Sequence, residues 1–102
     1  MRVDRKDAEA SLPKKGFTRD ARGDHVYFLH THKGRRTGAY TKISHSAKMR
    51  DISGSLLRTM QKQLRLEHTR QAVELLRCPM DGEEYLRILI QRGIVPSDDS
   101  RG

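Results

Sequence analysis

The sequence predicts an α+β domain: a helix, three antiparallel strands and a helix, followed by two further helices. Three observations carry that expectation. The stretch "HVYFLHTH", His25 to His32, is rich in Val, Tyr, Phe and Leu, the residues that suit a pleated, half-buried strand. Turn signals flank it, "RGD" at Arg22–Asp24 and "KGRRTG" at Lys33–Gly38, so that strands before and after can fold back on it. Apolar residues at helical spacing bracket the strands, Val3, Ala8 and Leu12 on one side and Leu56, Leu57, Met60 and Leu64 on the other. With only 34% hydrophobic and 5% aromatic residues in 102 positions, the economical arrangement is one small core between a three-stranded sheet and helices on one face. The other sheet face is left uncovered.

Taken in order, the first helix is expected from Val3 to Leu12, since Pro13 removes a donor and disfavours helix at Leu12 before it. Gly16 makes the exit turn, and Phe17 to Arg22 forms the first strand. In the second strand, alternation puts His25, Tyr27 and Leu29 on one face and Val26, Phe28 and His30 on the other. A basic hairpin loop, Lys33 to Gly38, leads to the third strand, Ala39 to His45, and a loop, "SAKMRD", follows. Ser53 is the expected N-cap of a helix reaching Leu66. A third helix runs from Thr69 to Arg77 and stops before Pro79. A fourth starts at Asp81, with Glu84 three residues on completing a capping-box-like start, and Gly93 ends it. The expected divisions are a core over residues 1–66, a helical extension over 67–95 packed on the same domain, and a disordered tail over 96–102.

Charge narrows the class of partner. Residues 1–66 hold 16 Lys and Arg against 6 Asp and Glu, a net of +10, whereas residues 67–102 hold 5 against 7, a net of −2. A basic body with a near-neutral end makes a polyanion, RNA or DNA, the leading partner of the first part. Charged residues make up 33% and no apolar run reaches bilayer length, so no membrane partner is expected. "MRVDRKDAEASL" lacks the apolar stretch of a signal peptide, and the one cysteine, Cys78, suits a reducing compartment as a small buried residue. Both point to the cytoplasm.

Three arrangements could carry chemistry. RNA brings its own nucleophile, the 2′-hydroxyl, so cleavage needs a proton acceptor and donor more than a metal, and a histidine near neutrality serves in either role. His25 at a strand mouth, with Arg22, Lys33, Arg35, Arg36 and Lys42 available to hold phosphate, has the composition of such a site. A metal site from His25, His30, His32 and His45 is not expected, because His25 faces away from His30 and His32 and no CxxC or HExxH pattern accompanies them. Exposed histidines beside phosphate-binding cations is the reading given to His30 and His32. The third arrangement is passive: helix, three strands and helix with basic loops match double-stranded-RNA-binding domains, with Lys33, Arg35 and Arg36 as the groove-facing loop.

Four motifs in order, "KKGF" at Lys14–Phe17, "GDHVYF" at Gly23–Phe28, "TKISH" at Thr41–His45 and "ISGSLLRTM" at Ile52–Met60, resemble the HicA-type toxins. Those are small mRNA interferases of toxin–antitoxin pairs, built on a double-stranded-RNA-binding-like fold. The resemblance covers residues 4–66. It implies metal-independent endoribonuclease activity with no cofactor, in which His25, after Gly23, is the catalytic group and His45 has a supporting role. It also implies a HicB-type antitoxin over the active surface. Asp24 stands where the family usually has serine, and Lys42–Ile43–Ser44 replaces the stretch that usually carries a proline. On this reading His25 moves a proton at the scissile phosphate of mRNA, Arg22, Lys33, Arg35, Arg36 and Lys42 bind the backbone, and Gly23, Asp24 and His45 support the site. The alternative is a non-catalytic RNA-binding module of the same fold. Self-association is left open.

Overall fold

The computed structural model describes residues 2–44, 50–77 and 79–96. His45, Cys78 and residues 97–102 of the expected tail lie outside them. The chain is α+β. Strands β2 (Phe17–Arg22), β3 (His25–His32) and β4 (Arg35–Ser44) form a three-stranded antiparallel sheet in that order. Helices α2 (Gly54–Gln63), α3 (Thr69–Leu76) and α4 (Gly82–Gln91) follow it in sequence. Buried residues alternate with half-exposed ones along β3 and along the second half of β4, so one face of the sheet is packed and the other open. Val26, Phe28, Thr41 and Ile43 are on the packed side, and all four are fully excluded from solvent or within 1% of it.

The N-terminus departs from expectation. Arg2–Asp4 is a short strand, β1, paired antiparallel with β5 (Asp51–Ser53), and only Arg5–Ser11 forms helix α1. The pairing buries the β-branched Val3 against Ile52, and neither residue has a strong local signal within so short a segment. Asp4 then begins the helix from an extended backbone, its carboxylate accepting from the Lys6 amide at 2.8 Å. Val3, Ala8 and Leu12 all point inward as expected, though from three different elements. Leu12–Lys15 is a 3-10 turn that takes Pro13 near its start, and Gly16 leaves it with φ +94°. The hairpin loop is also shorter than expected. The turn is only Lys33 and Gly34, both at positive φ, and Arg35–Gly38 belong to β4 beside a register shift near Leu29 and Thr31.

The three-residue β1–β5 ladder leads directly into α2, whose N-cap is Ser53 and whose Leu57 and Met60 are buried. Thr41 Oγ1, inaccessible on β4, donates to Gln63 Oε1 at 2.9 Å and fixes the end of α2 to the sheet. The helix ends in a Schellman arrangement, with Leu66 N donating to Gln61 O at 3.0 Å and Arg65 N to Lys62 O at 3.1 Å. That motif requires a left-handed residue, here the exposed Arg65 at φ +62°. Arg65→Gly is expected to raise unfolding free energy by about 1 kcal/mol, because glycine adopts this backbone without Cβ strain. Urea denaturation of the two proteins checks it, and an unchanged midpoint would mean that Arg65 carries no strain.

The C-terminal helices share the core of residues 1–66. Tyr85 of α4, fully buried, packs on Phe17 (5.4 Å between centroids) and edge-on to His30 (5.0 Å), and its hydroxyl donates to Leu64 O at 2.7 Å. Asp81 caps α4 through the Glu84 amide at 2.8 Å, as its spacing predicts. The end of α3 is closed by Lys15, whose Nζ donates to Leu75 O at 2.6 Å and Arg77 O at 3.2 Å while only 9% of the residue is exposed. A cation on the carbonyl end of a helix is favoured by the helix dipole, and Ser11 Oγ also donates to Arg77 O, at 2.8 Å. Lys15→Met keeps the buried stem and removes the donor, so a loss of about 2 kcal/mol is expected. Thermal unfolding measures it, and a Met variant as stable as the parent would remove Lys15 from the account of α3.

Candidate nucleic-acid interface

Register defines the open face. His25 lies between Arg22 of β2 and Ser44 of β4, Tyr27 between Asp20 and Lys42, and Leu29 between Thr18 and Tyr40. Directly opposed residues of antiparallel strands share a face, so these nine positions form one surface. Gly23 at φ +55° opens the two-residue turn between β2 and β3, the position where a II′ turn requires glycine, and this brings Arg22 and His25 side by side. Asp24 completes the turn and is exposed. Neighbouring strand and turn positions diverge, which leaves Asp24 poorly placed to orient His25.

The charges on this face are ordered. Arg22 Nη2 is 2.7 Å from Asp20 Oδ2 and its Nε donates to the same oxygen at 2.9 Å, which brings the guanidinium carbon to 5.4 Å from the centre of the Tyr27 ring. The hydrogen bond and charge of Asp20 raise the Arg22 guanidinium further above its ordinary value. Lys42 is beside Tyr27 on the other strand. His25 is half-buried and makes no side-chain hydrogen bond or ion pair with another described residue.

The cations predicted for one site divide into two groups. Arg22 and Lys42 are next to or diagonal from His25. Lys33, Arg35 and Arg36 are at the other end of β3, which at about 3.3 Å per residue is some 23 Å away. There they border a groove of about 380 Å³ with His32, Ile94 and Pro96 among its walls. A single phosphate cannot touch both groups, though an extended strand can. His45 lies outside the described residues.

His30 requires a correction. It is not an exposed neighbour of phosphate-binding cations but 3% exposed, set edge-on to Phe17 and Tyr85 at 5.0 Å from each, with Nδ1 2.9 Å from Thr37 Oγ1. Burial, with a smaller effect of His32, lowers its pKa to about 4, so it is neutral at physiological pH. Among the described residues no three His, Cys, Asp or Glu side chains come together as a metal site. None of the described helices is long and apolar enough to cross a membrane.

Tyr27 and Tyr40 also belong to this face, although neither lies in a motif that marks it as a site residue in the sequence. Their rings are 6.5 Å apart and 27° from parallel on the open face. The parity of Tyr40 with Lys42 was the available signal. Comparison with known protein families, curated proteins and solved structures finds no match to this chain.

Proposed function

We propose that this chain is a HicA-like, metal-independent endoribonuclease that cleaves mRNA with His25 as its general acid or base. The observation that carries the reading is the open sheet face, on which a half-buried histidine at a strand mouth, without a side-chain partner among the described residues, has the Arg22 cation as its direct cross-strand neighbour. The order α1, β2, β3, β4, α2 is that of a double-stranded-RNA-binding-like core, and we assign the fold to that type. In the reaction, His25 takes the proton of the 2′-hydroxyl as its oxygen bonds to phosphorus, or gives a proton to the departing 5′-oxygen as the P–O bond breaks. The ends are then a 2′,3′-cyclic phosphate and a 5′-hydroxyl. Arg22 and Lys42 offset the negative charge that grows on the phosphate. A HicB-type antitoxin would silence the protein by covering the same face.

A second reading, RNA binding without cleavage, is favoured by one specific observation. Two proton transfers need two groups, yet Asp20 is engaged by Arg22 and β2–β4 place no second described histidine on this face. Induced expression separates the two: growth arrest with RNA breakdown in wild type but not in a folded His25→Ala protein supports cleavage. Equal harmlessness of both proteins would favour the binding module, and equal toxicity would remove His25 from the mechanism.

A further inference from the structure

Two tyrosines and two cations on one sheet face form more than a surround for His25. We infer that the open face binds single-stranded RNA by stacking bases on Tyr27 and Tyr40, with Arg22 and Lys42 on the adjoining phosphates. This rests on the RNA reading above and names the form of RNA that the face takes.

Tyr27 and Tyr40 come from adjacent strands, are only half-buried, and have centroids 6.5 Å apart. That is the loose end of the range of about 4.5–7 Å for ring pairs, so neither ring seals the face of the other. Their partners across the strands are polar or charged except for Leu29, which gives the surface little apolar area beyond the rings themselves. A protein partner would be offered few aliphatic side chains, whereas a nucleobase needs only a π-face and a nearby cation.

Cations are where a strand of RNA needs them. Asp20 holds the Arg22 guanidinium against the Tyr27 ring from one side, and Lys42 flanks the same ring from the opposite strand. A base resting on the tyrosines would have its phosphates within reach of both. In a duplex the bases are stacked on one another and only the terminal pairs expose a face, so the rings select unpaired RNA. The path along β3 from His25 toward Lys33 and Arg36 then gives the same strand a second set of contacts about 23 Å further on.

The test uses the full chain with His25→Ala, so that the probe survives, and fluorescence anisotropy with a short single-stranded oligoadenylate and with its duplex with oligouridylate. Tyr27→Leu and Tyr40→Leu keep apolar bulk but lose the π-face. Each is expected to weaken single-strand binding about 10-fold, to leave the slope of affinity against salt unchanged, and to affect the duplex little. Tyr27→Phe and Tyr40→Phe retain the ring and are expected to bind like the parent. Circular dichroism confirms that each variant is folded. Leu variants that bind as tightly as the parent overturn the platform while RNA binding itself stands, as does a duplex that binds more tightly than the single strand. A parent that binds neither probe overturns platform and RNA reading together. A parent that forms tyrosine-dependent dimers and binds no RNA makes the face a contact between two copies instead. Platform loss in the Leu variants combined with no cleavage by wild type keeps the inference and leaves only catalysis refuted.

Discussion

His25→Ala is expected to lower the proposed RNA cleavage by about 10²–10⁴-fold, the range for loss of one general acid–base group, with little change in folding stability. Cleavage should fall in single-turnover assays with excess protein while the RNA dissociation constant changes little, because Arg22 and Lys42 remain. The structure gives a reason to expect the separation. His25 is at the mouth of β3 and half-exposed, and it makes no side-chain hydrogen bond with a described residue whose loss would unfold the sheet. His25→Gln is the conservative companion, preserving polarity without an imidazole to take up and release a proton. Residual cleavage of either variant within a few-fold of wild type, after nuclease contamination is ruled out with an independently prepared sample, would transfer the chemistry away from His25.

Acidification is expected to weaken the fold through His30. Its pKa is about 4 in the folded chain against an ordinary 6.5, so the unfolded chain takes up the proton first as pH falls. The contribution is complete above about pH 6.5, declines between there and pH 4, and is then flat. The span corresponds to about 3 kcal/mol. The physical cause is the enclosure by Phe17 and Tyr85, which offer ring edges and faces but no counter-charge, with His32 adding like charge and Thr37 Oγ1 the polar contact. Tyr85 cannot compensate, since burial raises its own pKa and its hydroxyl is committed to Leu64 O. Denaturant midpoints across this interval should fall in wild type and fall by correspondingly less in His30→Phe, which retains the ring packing. Equal pH dependence in the two proteins would show that His30 is not the titrating group.

That histidine also marks how far the sequence could be read. The alternation in "HVYFLHTH" placed Val26, Phe28 and His30 together on one face, and all three are buried. Assigning His30 to solvent came from its residue type, since histidine alone gives no sign of which aromatic rings will enclose it. One of those rings, Tyr85, comes from α4, far along the chain from β3. Lys14 and Lys15 look alike in "KKGF", yet Lys14 is exposed and Lys15 closes a helix to which it is connected only through space. Neither outcome has a local signature, because both depend on where distant helices settle.

For the candidate site the division is similar. Local sequence determined the β2–β3 turn at Gly23–Asp24, the strand from His25 to His32, the face of His25, and the basic character of the first 66 residues. Those follow from side-chain period, glycine conformation and charge, which act over a few bonds. Strand length alone already implied that Lys33, Arg35 and Arg36 are remote from His25. Tertiary structure decided the rest. The register shift in β3–β4 put Tyr40 opposite Leu29 and near Tyr27, the pairing of Arg2–Asp4 with Asp51–Ser53 joined the two ends of the core, and α4 sealed His30 from water. Pairing across strands and burial by distant helices are set by the total fit of apolar surfaces, a property of the folded chain that no short stretch of it contains.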